Sequence, residues 1–276
     1  MFIDKVKLDT GVIMEFSLSG PAGADTLLFV HGLGPNLRQF ADQEEYFNRE
    51  YQVLLVSLRG HGETSCPERI SPDFFSLNQY ARDLRALLAL LEIRKVHFVG
   101  SSMGGLVGYE LLDMDESLFA SFTTFGTPVE MHESYLRLWT LNHLTHLLGS
   151  VRLGQLSGIT TRDKTVAHRV AQMFACVDCA CLELTQRHIA DYDYTDTLRR
   201  LALPMMVIVA EEDQEVNPYL ASTLAIGSEK PDFQLVELEG VGHFSNMENP
   251  GAFNLALQGF LREAKEELPY LVAEAA

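Results

Sequence analysis

Residues 98–111 read FVGSSMGGLVGYEL, which places two neighbouring serines between an apolar run and a cluster of glycines. The run KVHFVG (95–100) has the character of a buried strand, and GLVGYELLDM (105–114) has that of a helix. A strand that leads into a helix over so few residues needs a sharp turn, and glycines let the two backbones approach closely. We therefore predict that Ser102 stands at the apex of a strained turn at a helix N-terminus, with its hydroxyl exposed.

The same alternation of strands and helices continues along the chain. The strand-like runs are almost continuously apolar, which is typical of strands that are covered on both faces. Segments with an apolar helical face separate these runs, and this order favours a mostly parallel α/β sheet. The predicted strands are 25–32, 51–58, 95–100, 119–126, 204–210 and 233–240, after a hairpin of 2–8 with 11–18, and the predicted helices are 37–48, 78–92, 105–114 and 251–266.

Residues 129–198 interrupt this alternation. They are rich in His and Leu and contain the one tryptophan of the chain, Trp139. We expect this segment to be helical, and no linker rich in Pro and Gly separates it from the rest. The predicted organisation is a core of residues 1–128 and 199–276, with 129–198 as a helical cap over one end of the sheet.

The serine at position 102 can act as a nucleophile only with help. A serine hydroxyl is weakly nucleophilic near neutral pH, so it needs a base and a carboxylate that orients the base. GSSMG (100–104) matches the pattern G-x-S-x-G between a strand and a helix. Asp213 follows a predicted strand, and His243 lies in a glycine-flanked loop after the next one. We predict a catalytic triad of Ser102, His243 and Asp213. The carboxylates that remain open as alternatives to Asp213 are Glu211, Glu212, Glu215 and, at a greater distance, Glu130.

Attack on a carbonyl also needs donors for the oxyanion that forms. The backbone N–H of Met103, directly after the serine, is one candidate. The loop HGLGPN (31–36) follows the predicted strand 25–32 and turns at glycines, so the N–H of Leu33 is the second.

The remaining histidines have simpler interpretations. His97 lies within a strand and is expected to be packed, whereas His31 and His61 lie in loops where they would organise the backbone. We expect the histidines of the cap to face solvent or line a pocket. These are His132, His143 and His146.

Three of the four cysteines cluster at positions 176, 179 and 181. The spacing C-x2-C-x-C admits a metal site, with His168 and His188 nearby. Residues 166–184 also have the pattern of one helix, in which small buried cysteines are common. The helical interpretation with inert thiols is favoured, and no metal is predicted.

The chain has 276 residues and a formal net charge of −17. Because there is no basic excess to neutralise phosphates, this charge argues against nucleic-acid partners and against an anionic membrane surface. No apolar stretch is long enough to span a bilayer, and the N-terminal residues lack the pattern of a secretory signal. We expect a cytoplasmic protein with a small-molecule substrate, and nothing in the sequence indicates an oligomer.

The chain resembles the α/β-hydrolase superfamily in its capped, single-domain branch of esterases, lactonases and carbon–carbon bond hydrolases. Four segments carry the resemblance: FVHGLG (29–34), SLRGHGETS (57–65), GSSMGG (100–105) and EGVGHFSNMENP (239–250). The resemblance implies an α/β-hydrolase fold with an eight-stranded, mostly parallel sheet, a helical cap, and catalysis without a cofactor. Ser57 stands where relatives often have Asp, which predicts the loss of a loop contact.

The predicted function is hydrolysis of a carboxylic ester, lactone or thioester of a small, largely apolar substrate through an acyl-enzyme. A serine at position 102 argues against the epoxide-hydrolase and dehalogenase branches. A carbon–carbon hydrolase or acyltransferase on the same triad remains open, as does a binding protein or receptor that does not turn its ligand over. The acidic stretch DYDYTD (191–196) is a candidate for disfavouring anionic substrates.

Overall fold

The structure is a computed structural model that describes residues 1–66, 71–133, 147–156, 161 and 163–273. The strands of its central sheet are β1 (Asp4–Lys7), β2 (Ile13–Ser19), β3 (Thr26–Val30), β4 (Gln52–Val56), β5 (Val96–Ser101), β6 (Phe119–Phe125), β9 (Met205–Ala210) and β10 (Phe233–Leu238), and β7 (Glu130–His132) and β8 (Asp191–Asp193) form a second sheet. The eight strands of the central sheet lie in the order β1-β2-β4-β3-β5-β6-β9-β10. The β1–β2 and β2–β4 pairs are antiparallel, and the other neighbours are parallel.

Helices cover both faces of the sheet, as the apolar strands require. In β3, Leu28 and Val30 belong to one buried cluster, whereas Leu27 and Phe29 belong to another on the opposite face. The α/β-hydrolase fold with a mostly parallel eight-stranded sheet is therefore confirmed. The helices are α1 (Ala41–Phe47), α2 (Leu77–Leu90), α3 (Met103–Asp115), α4 (described over 147–156), α5 (Lys164–Phe174), α6 (Cys179–Ile189), α7 (Thr195–Arg200), α8 (Ala221–Ser228), α9 (Ser245–Glu248) and α10 (Pro250–Ala273).

The segment predicted as a purely helical cap also contains strands. β7 and β8 pair in antiparallel fashion near its two ends, with Glu130 opposite Asp193. Helix α5 packs its apolar face against Phe244 and Met247, which follow His243 in the chain. This contact places α5 beside the histidine loop. The division into a core of 1–128 and 199–276 and a cap of 129–198 stays a prediction, and Trp139, His143 and His146 lie outside the described residues.

The expected single helix over 166–184 is wrong, because the chain forms two helices there. α5 ends at Phe174, and Asp178 caps α6 by accepting hydrogen bonds from the N–H groups of Ala180 and Cys181. An aspartate at an N-cap satisfies donors that a continuing helix would bond internally, so it favours a new helix start. Cys181 is buried while Cys176 is exposed. Within the described part of the chain, no group of three His, Cys, Asp or Glu side chains is arranged to hold a metal.

The predicted helix over 37–48 is divided as well, into a 3₁₀ turn at Leu37–Phe40 followed by α1. The helix predicted from residue 105 begins earlier, at Met103, directly after the serine. None of the helices in the described ranges combines the length and hydropathy needed to cross a membrane.

Candidate active site

Ser102 occupies the turn between β5 and α3 in a conformation that few side chains adopt. Its φ is 51° and its ψ is −120°. Such a conformation costs about 1–3 kcal/mol and persists only where neighbouring structure holds it. Here β6 and its following loop hold it: the Ser102 N–H donates to the carbonyl of Phe125 (2.8 Å), and Thr127 Oγ1 donates to the carbonyl of Ser102 (2.9 Å).

The glycines around the serine are required by close backbone contacts. A Cβ atom at Gly100 would lie 2.6 Å from Cα of Gly105, and one at Gly104 would lie 2.2 Å from the carbonyl oxygen of Val30. The end of β3 and the first turn of α3 therefore touch through backbone atoms. This contact places the loop after β3 against the serine turn, because a Cβ at Gly32 would lie 3.2 Å from Cβ of Ser102.

Asp213 and His243 form a hydrogen-bonded pair. The imidazole Nδ1 lies 2.7 Å from Asp213 Oδ2, and the aspartate is 3% exposed. Because an ionised carboxylate can only accept, Nδ1 carries the proton and Nε2 is left as the acceptor. The other aspartate oxygen, Oδ1, accepts the backbone N–H groups of Glu215 and Val216, at 3.2 Å each.

The pair shifts the pKa values of both members. Burial opposes the charged form of His243, but the hydrogen bond and charge of Asp213, with smaller contributions from Glu215 and Glu248, outweigh it and raise the pKa of His243 above 6.5. Burial likewise opposes ionisation of Asp213, but the hydrogen bond and charge of His243 and the two N–H donors lower its pKa below 3.8. The aspartate is therefore ionised at neutral pH.

Ser102 and His243 line the same cavity, which has a volume of about 280 Å³. Leu33 also lines it, from the loop after β3. Met103 is the first residue of α3, so its N–H is one of those that have no acceptor within the helix. The other lining residues are mostly apolar: Gly32, Pro35, Ser101, Leu153, Phe174, Leu182, Gln186, Glu215 and Phe244.

Two of the carboxylates that the sequence left open as alternatives to Asp213 are hydrogen-bonded elsewhere. Glu211 Oε2 accepts the N–H of Gly240 (2.8 Å), and Glu130 accepts a hydrogen bond from Ser222. Glu215 lines the cavity, but the contact that it makes with Asp213 is through its backbone.

The buried histidines organise loops, as predicted. His31 Nε2 accepts the N–H of Leu58 (2.9 Å) and its Nδ1 donates to the carbonyl of Gly32 (2.7 Å). Burial lowers the pKa of His31 well below 6.5 and that of His61 to about 4, so both are neutral. His97 is also buried, with Nδ1 2.8 Å from Ser121 Oγ.

The contact expected to be lost at Ser57 is present, because β2 supplies a carboxylate. Ser57 Oγ donates to Glu15 Oε2 (2.6 Å) and accepts the N–H of Leu37 (3.2 Å). Glu15 is fully buried, and it also accepts the N–H of Glu63 (3.0 Å). The serine and the glutamate together join the loop after β4 to the segment that follows Leu33.

A buried network of side-chain amides was missed from the sequence. Gln39 Nε2 donates to Ser101 Oγ (3.0 Å) and to Asn246 Oδ1 (3.3 Å). Asn246 Nδ2 donates in turn to the Gln39 carbonyl and to Gln43 Oε1, both at 3.0 Å. Gln43 Nε2 also donates to Asn254 Oδ1 (3.0 Å). A buried network of hydrogen bonds fixes relative positions, and this one joins the residue before Ser102 to the helix after His243.

Gly126 is a second residue that the sequence did not single out. It follows β6 with φ +59°, and a Cβ there would lie 2.9 Å from Cε1 of His243 and 3.6 Å from Oδ2 of Asp213. The backbone at Gly126 therefore forms one wall of the histidine–aspartate pair. The sequence FGTP (125–128) signals a turn, but it does not reveal what the turn faces.

Comparisons with known proteins agree with this fold. The sequence model of the Alpha/beta hydrolase family matches residues 27–256. The chain is 28% identical over 268 residues to 3-oxoadipate enol-lactonase 2 of Acinetobacter baylyi, covering 91% of this chain and 94% of that protein. It is 28% identical over 269 residues to a 2-hydroxy-6-oxononadienedioate/2-hydroxy-6-oxononatrienedioate hydrolase of Cupriavidus pinatubonensis, covering 87% and 88%.

Among solved structures, the enol-lactonase from Burkholderia xenovorans LB400 superposes with a TM-score of 0.83 at 21% identity, covering 94% of this chain and all of that one. At this identity the likeness shows a shared fold. Since the family model spans most of the sequence and the sheet order agrees with it, the chain belongs to the alpha/beta hydrolase family.

Proposed function

We propose that this α/β hydrolase cleaves a carboxylic ester or lactone of a small, largely apolar substrate, with Ser102 as nucleophile, His243 as base and Asp213 as the orienting acid. One observation carries the proposal. His243, which is hydrogen-bonded to the buried Asp213, and the strained Ser102 turn border one cavity, although the three residues lie far apart in the sequence.

The proposed reaction begins at the serine hydroxyl. His243 Nε2 accepts the proton of Ser102 Oγ while that oxygen bonds to the substrate carbonyl carbon. The N–H groups of Leu33 and Met103 stabilise the negative carbonyl oxygen. The imidazolium then protonates the leaving alcohol oxygen as the ester C–O bond breaks, which leaves an acyl-serine.

Water completes the cycle. His243 accepts a proton from a water molecule, whose oxygen attacks the acyl carbonyl, and Ser102 leaves with the proton returned by the imidazolium. The charge on Asp213 stabilises the imidazolium in both halves, which is consistent with the raised pKa of His243. Each step uses side-chain and backbone groups, and the family resemblance implies that no cofactor takes part.

The cavity supports a small substrate with apolar groups. Its volume of about 280 Å³ is near the lower end of the ~300–1,000 Å³ that is usual for sites of drug-sized ligands. Its described lining includes the apolar side chains of Leu33, Leu153, Phe174, Leu182 and Phe244. We expect short acyl chains to be accepted and long ones to be excluded.

The test uses hydrolysis of 4-nitrophenyl acetate, butyrate and decanoate by the wild-type chain and by Ser102→Ala. Ser228→Ala is the matched control, because this serine lies at the end of α8, outside the cavity lining. The wild type and the control should turn over the short esters, and Ser102→Ala should lose at least about 10³-fold in kcat. Turnover that survives in Ser102→Ala would overturn the proposed nucleophile.

The same assay separates the alternatives that the sequence left open. A binding protein or receptor would be stabilised thermally by an ester analogue while releasing almost no nitrophenol. A carbon–carbon hydrolase would cleave a vinylogous diketone faster than any ester. Either result would overturn ester hydrolysis as the main activity.

A further inference from the structure

The catalytic cavity carries a negative charge in the loop that follows β9. This loop, residues 211–216, contains Asp213 and is called the acid loop below. Glu215 lies two residues after Asp213 and lines the cavity together with His243. Resting on the proposed function, we propose that the Glu215 carboxylate determines which substrates the enzyme accepts by charge. Neutral and cationic esters are favoured, and esters that carry a second, anionic group are disfavoured.

The backbone of Glu215 is anchored independently of its side chain. Its N–H donates to Asp213 Oδ1 (3.2 Å), and the N–H of the next residue, Val216, donates to the same oxygen at the same distance. Val216 is buried, whereas Glu215 is exposed. The chain therefore holds the Glu215 backbone beside the proposed catalytic acid, while the residue stays exposed in the lining of the cavity.

The charge at this position is not balanced by the other described lining residues. Among the described lining residues, the ionisable side chains are His243 and Glu215. Gln186, from α6, adds a polar side chain without a charge. The whole chain has a net charge of −17, so the surrounding field has the same sign. A carboxylate on the substrate would enter this field against repulsion, whereas an ammonium group would be attracted.

The charge of Glu215 also reaches the reacting groups. Burial lowers the pKa of His243, the hydrogen bond and charge of Asp213 raise it, and the charges of Glu215 and Glu248 raise it further. A charge that acts on the imidazole also acts on a substrate bound between the imidazole and the cavity mouth. This effect supports the assignment, which itself stands on the place of Glu215 in the cavity lining and on its backbone bond to Asp213.

The acidic stretch 191–196, which the sequence suggested for the same role, is placed elsewhere. Asp191 Oδ1 lies 2.8 Å from Nδ1 of His132, and Asp193 Oδ1 accepts the N–H of Thr195 (2.8 Å). Both aspartates belong to β8, and neither is among the described residues that line the cavity. Discrimination by charge is therefore assigned to the acid loop instead of this stretch.

The experiment compares Glu215→Gln with Glu229→Gln. Glu229 is an exposed carboxylate at the end of α8, so its replacement changes the net charge equally without altering the cavity lining. Two series of esters are used. In the first, phenyl acetate is compared with its 3-carboxy and 3-trimethylammonio derivatives, so that the charge lies on the leaving group. In the second, 4-nitrophenyl hexanoate is compared with derivatives that carry a carboxylate or trimethylammonium group at the acyl terminus.

Each kcat/KM of a variant is divided by that of the wild type for the same ester, which removes differences in intrinsic reactivity. The ratio for the neutral ester serves as the reference within each series, because loss of the Glu215 charge also acts on His243. Relative to that reference, in at least one series Glu215→Gln should raise the ratio for the anionic ester and lower it for the cationic ester, by about two- to fivefold each. Glu229→Gln should leave all of the ratios near one.

Salt provides a second readout. The screening length falls from about 10 Å at 0.1 M to about 3 Å at 1 M salt, so the wild-type preference for cationic over anionic ester should shrink toward that of Glu215→Gln. The inference is overturned if Glu215→Gln alters the charged esters in neither series, or alters them no more than Glu229→Gln. Failure of the proposed function would look different, because the neutral ester would then not be hydrolysed or would be hydrolysed equally by Ser102→Ala.

Discussion

Replacing Gly126 by alanine should impair His243, the proposed catalytic base, without removing any group from the site. The added Cβ would lie 2.9 Å from Cε1 and 3.2 Å from Nδ1 of His243, whereas unstrained carbon contacts lie at about 3.5–4.0 Å. The imidazole must therefore retreat by roughly 0.5–1 Å. A displacement of about 1 Å in a catalytic group can cost about 10²-fold in rate, so we expect kcat/KM to fall by about 10- to 100-fold.

The same substitution also has a backbone cost, which must be separated from the effect on the histidine. Gly126 has φ +59°, and an L-residue in this region costs about 1–2 kcal/mol. Gly11 is the matched control, because it has φ +88° and a Cβ there would have no atom of the described chain within 4 Å. Gly11→Ala should lose a similar free energy of unfolding but keep the wild-type kcat/KM.

The assay pairs kcat/KM for a short 4-nitrophenyl ester with urea unfolding of both glycine variants. The expected pattern is a common loss of about 1–2 kcal/mol in stability, with loss of activity confined to Gly126→Ala. If Gly126→Ala hydrolyses the ester as well as Gly11→Ala, then the close packing of this glycine against the imidazole has no catalytic consequence and the reasoning fails.

Three further predictions concern the buried polar groups and the pH profile. Asn246→Ala leaves its amide partners unsatisfied in the core and should lower the free energy of unfolding by about 2–4 kcal/mol in urea titrations, and a loss below 1 kcal/mol would contradict the network. Asp83 is paired with the buried guanidinium of Arg59 at 2.7 and 2.8 Å. Asp83→Ala leaves that charge buried without its carboxylate, so it should lower the free energy of unfolding by about 3–5 kcal/mol. The double variant Arg59→Met/Asp83→Leu should recover most of that loss, as measured by thermal unfolding. Because the neutral imidazole of His243 is the proposed base, kcat/KM should fall as the pH drops through the pKa of His243, which Asp213 raises above 6.5. Asp213→Asn should move this limb of the pH profile to lower pH as well as slowing the reaction, and an unmoved limb would show that the carboxylate does not set that pKa.

Much of the fold follows from local patterns. The run 95–100 could be identified as a strand because it is apolar throughout, and the helix after it because the turn glycines are followed by a helical apolar pattern. Ser102, Asp213 and His243 each follow a predicted strand, and parallel strands bring their carboxyl ends to one edge of a sheet, so the sequence predicts that the three residues meet. The structure pairs Asp213 with His243 directly and places His243 and Ser102 at one cavity, while the triad itself stays a proposal.

The features that were missed depend on contacts between distant segments. Asn246 and Gln39 are separated by 207 positions, and neither residue type signals its partner. The strands β7 and β8 are three residues each, too short to show an alternation, and they form because each completes the hydrogen bonds of the other. The helix over 166–184 was misjudged because its apolar spacing continues across Asp178, whose capping bonds decide the break.

The central claim is that Ser102 Oγ is the nucleophile, and covalent trapping tests it most directly. A fluorophosphonate is attacked at phosphorus by the nucleophilic oxygen with loss of fluoride, and the site of the adduct can be assigned by fragmentation mass spectrometry of the peptide that contains both Ser101 and Ser102. We predict stoichiometric labelling of Ser102, loss of esterase activity in proportion to labelling, and no adduct in Ser102→Ala. Labelling at another residue with parallel loss of activity, or full esterase activity in protein labelled at Ser102, would contradict it.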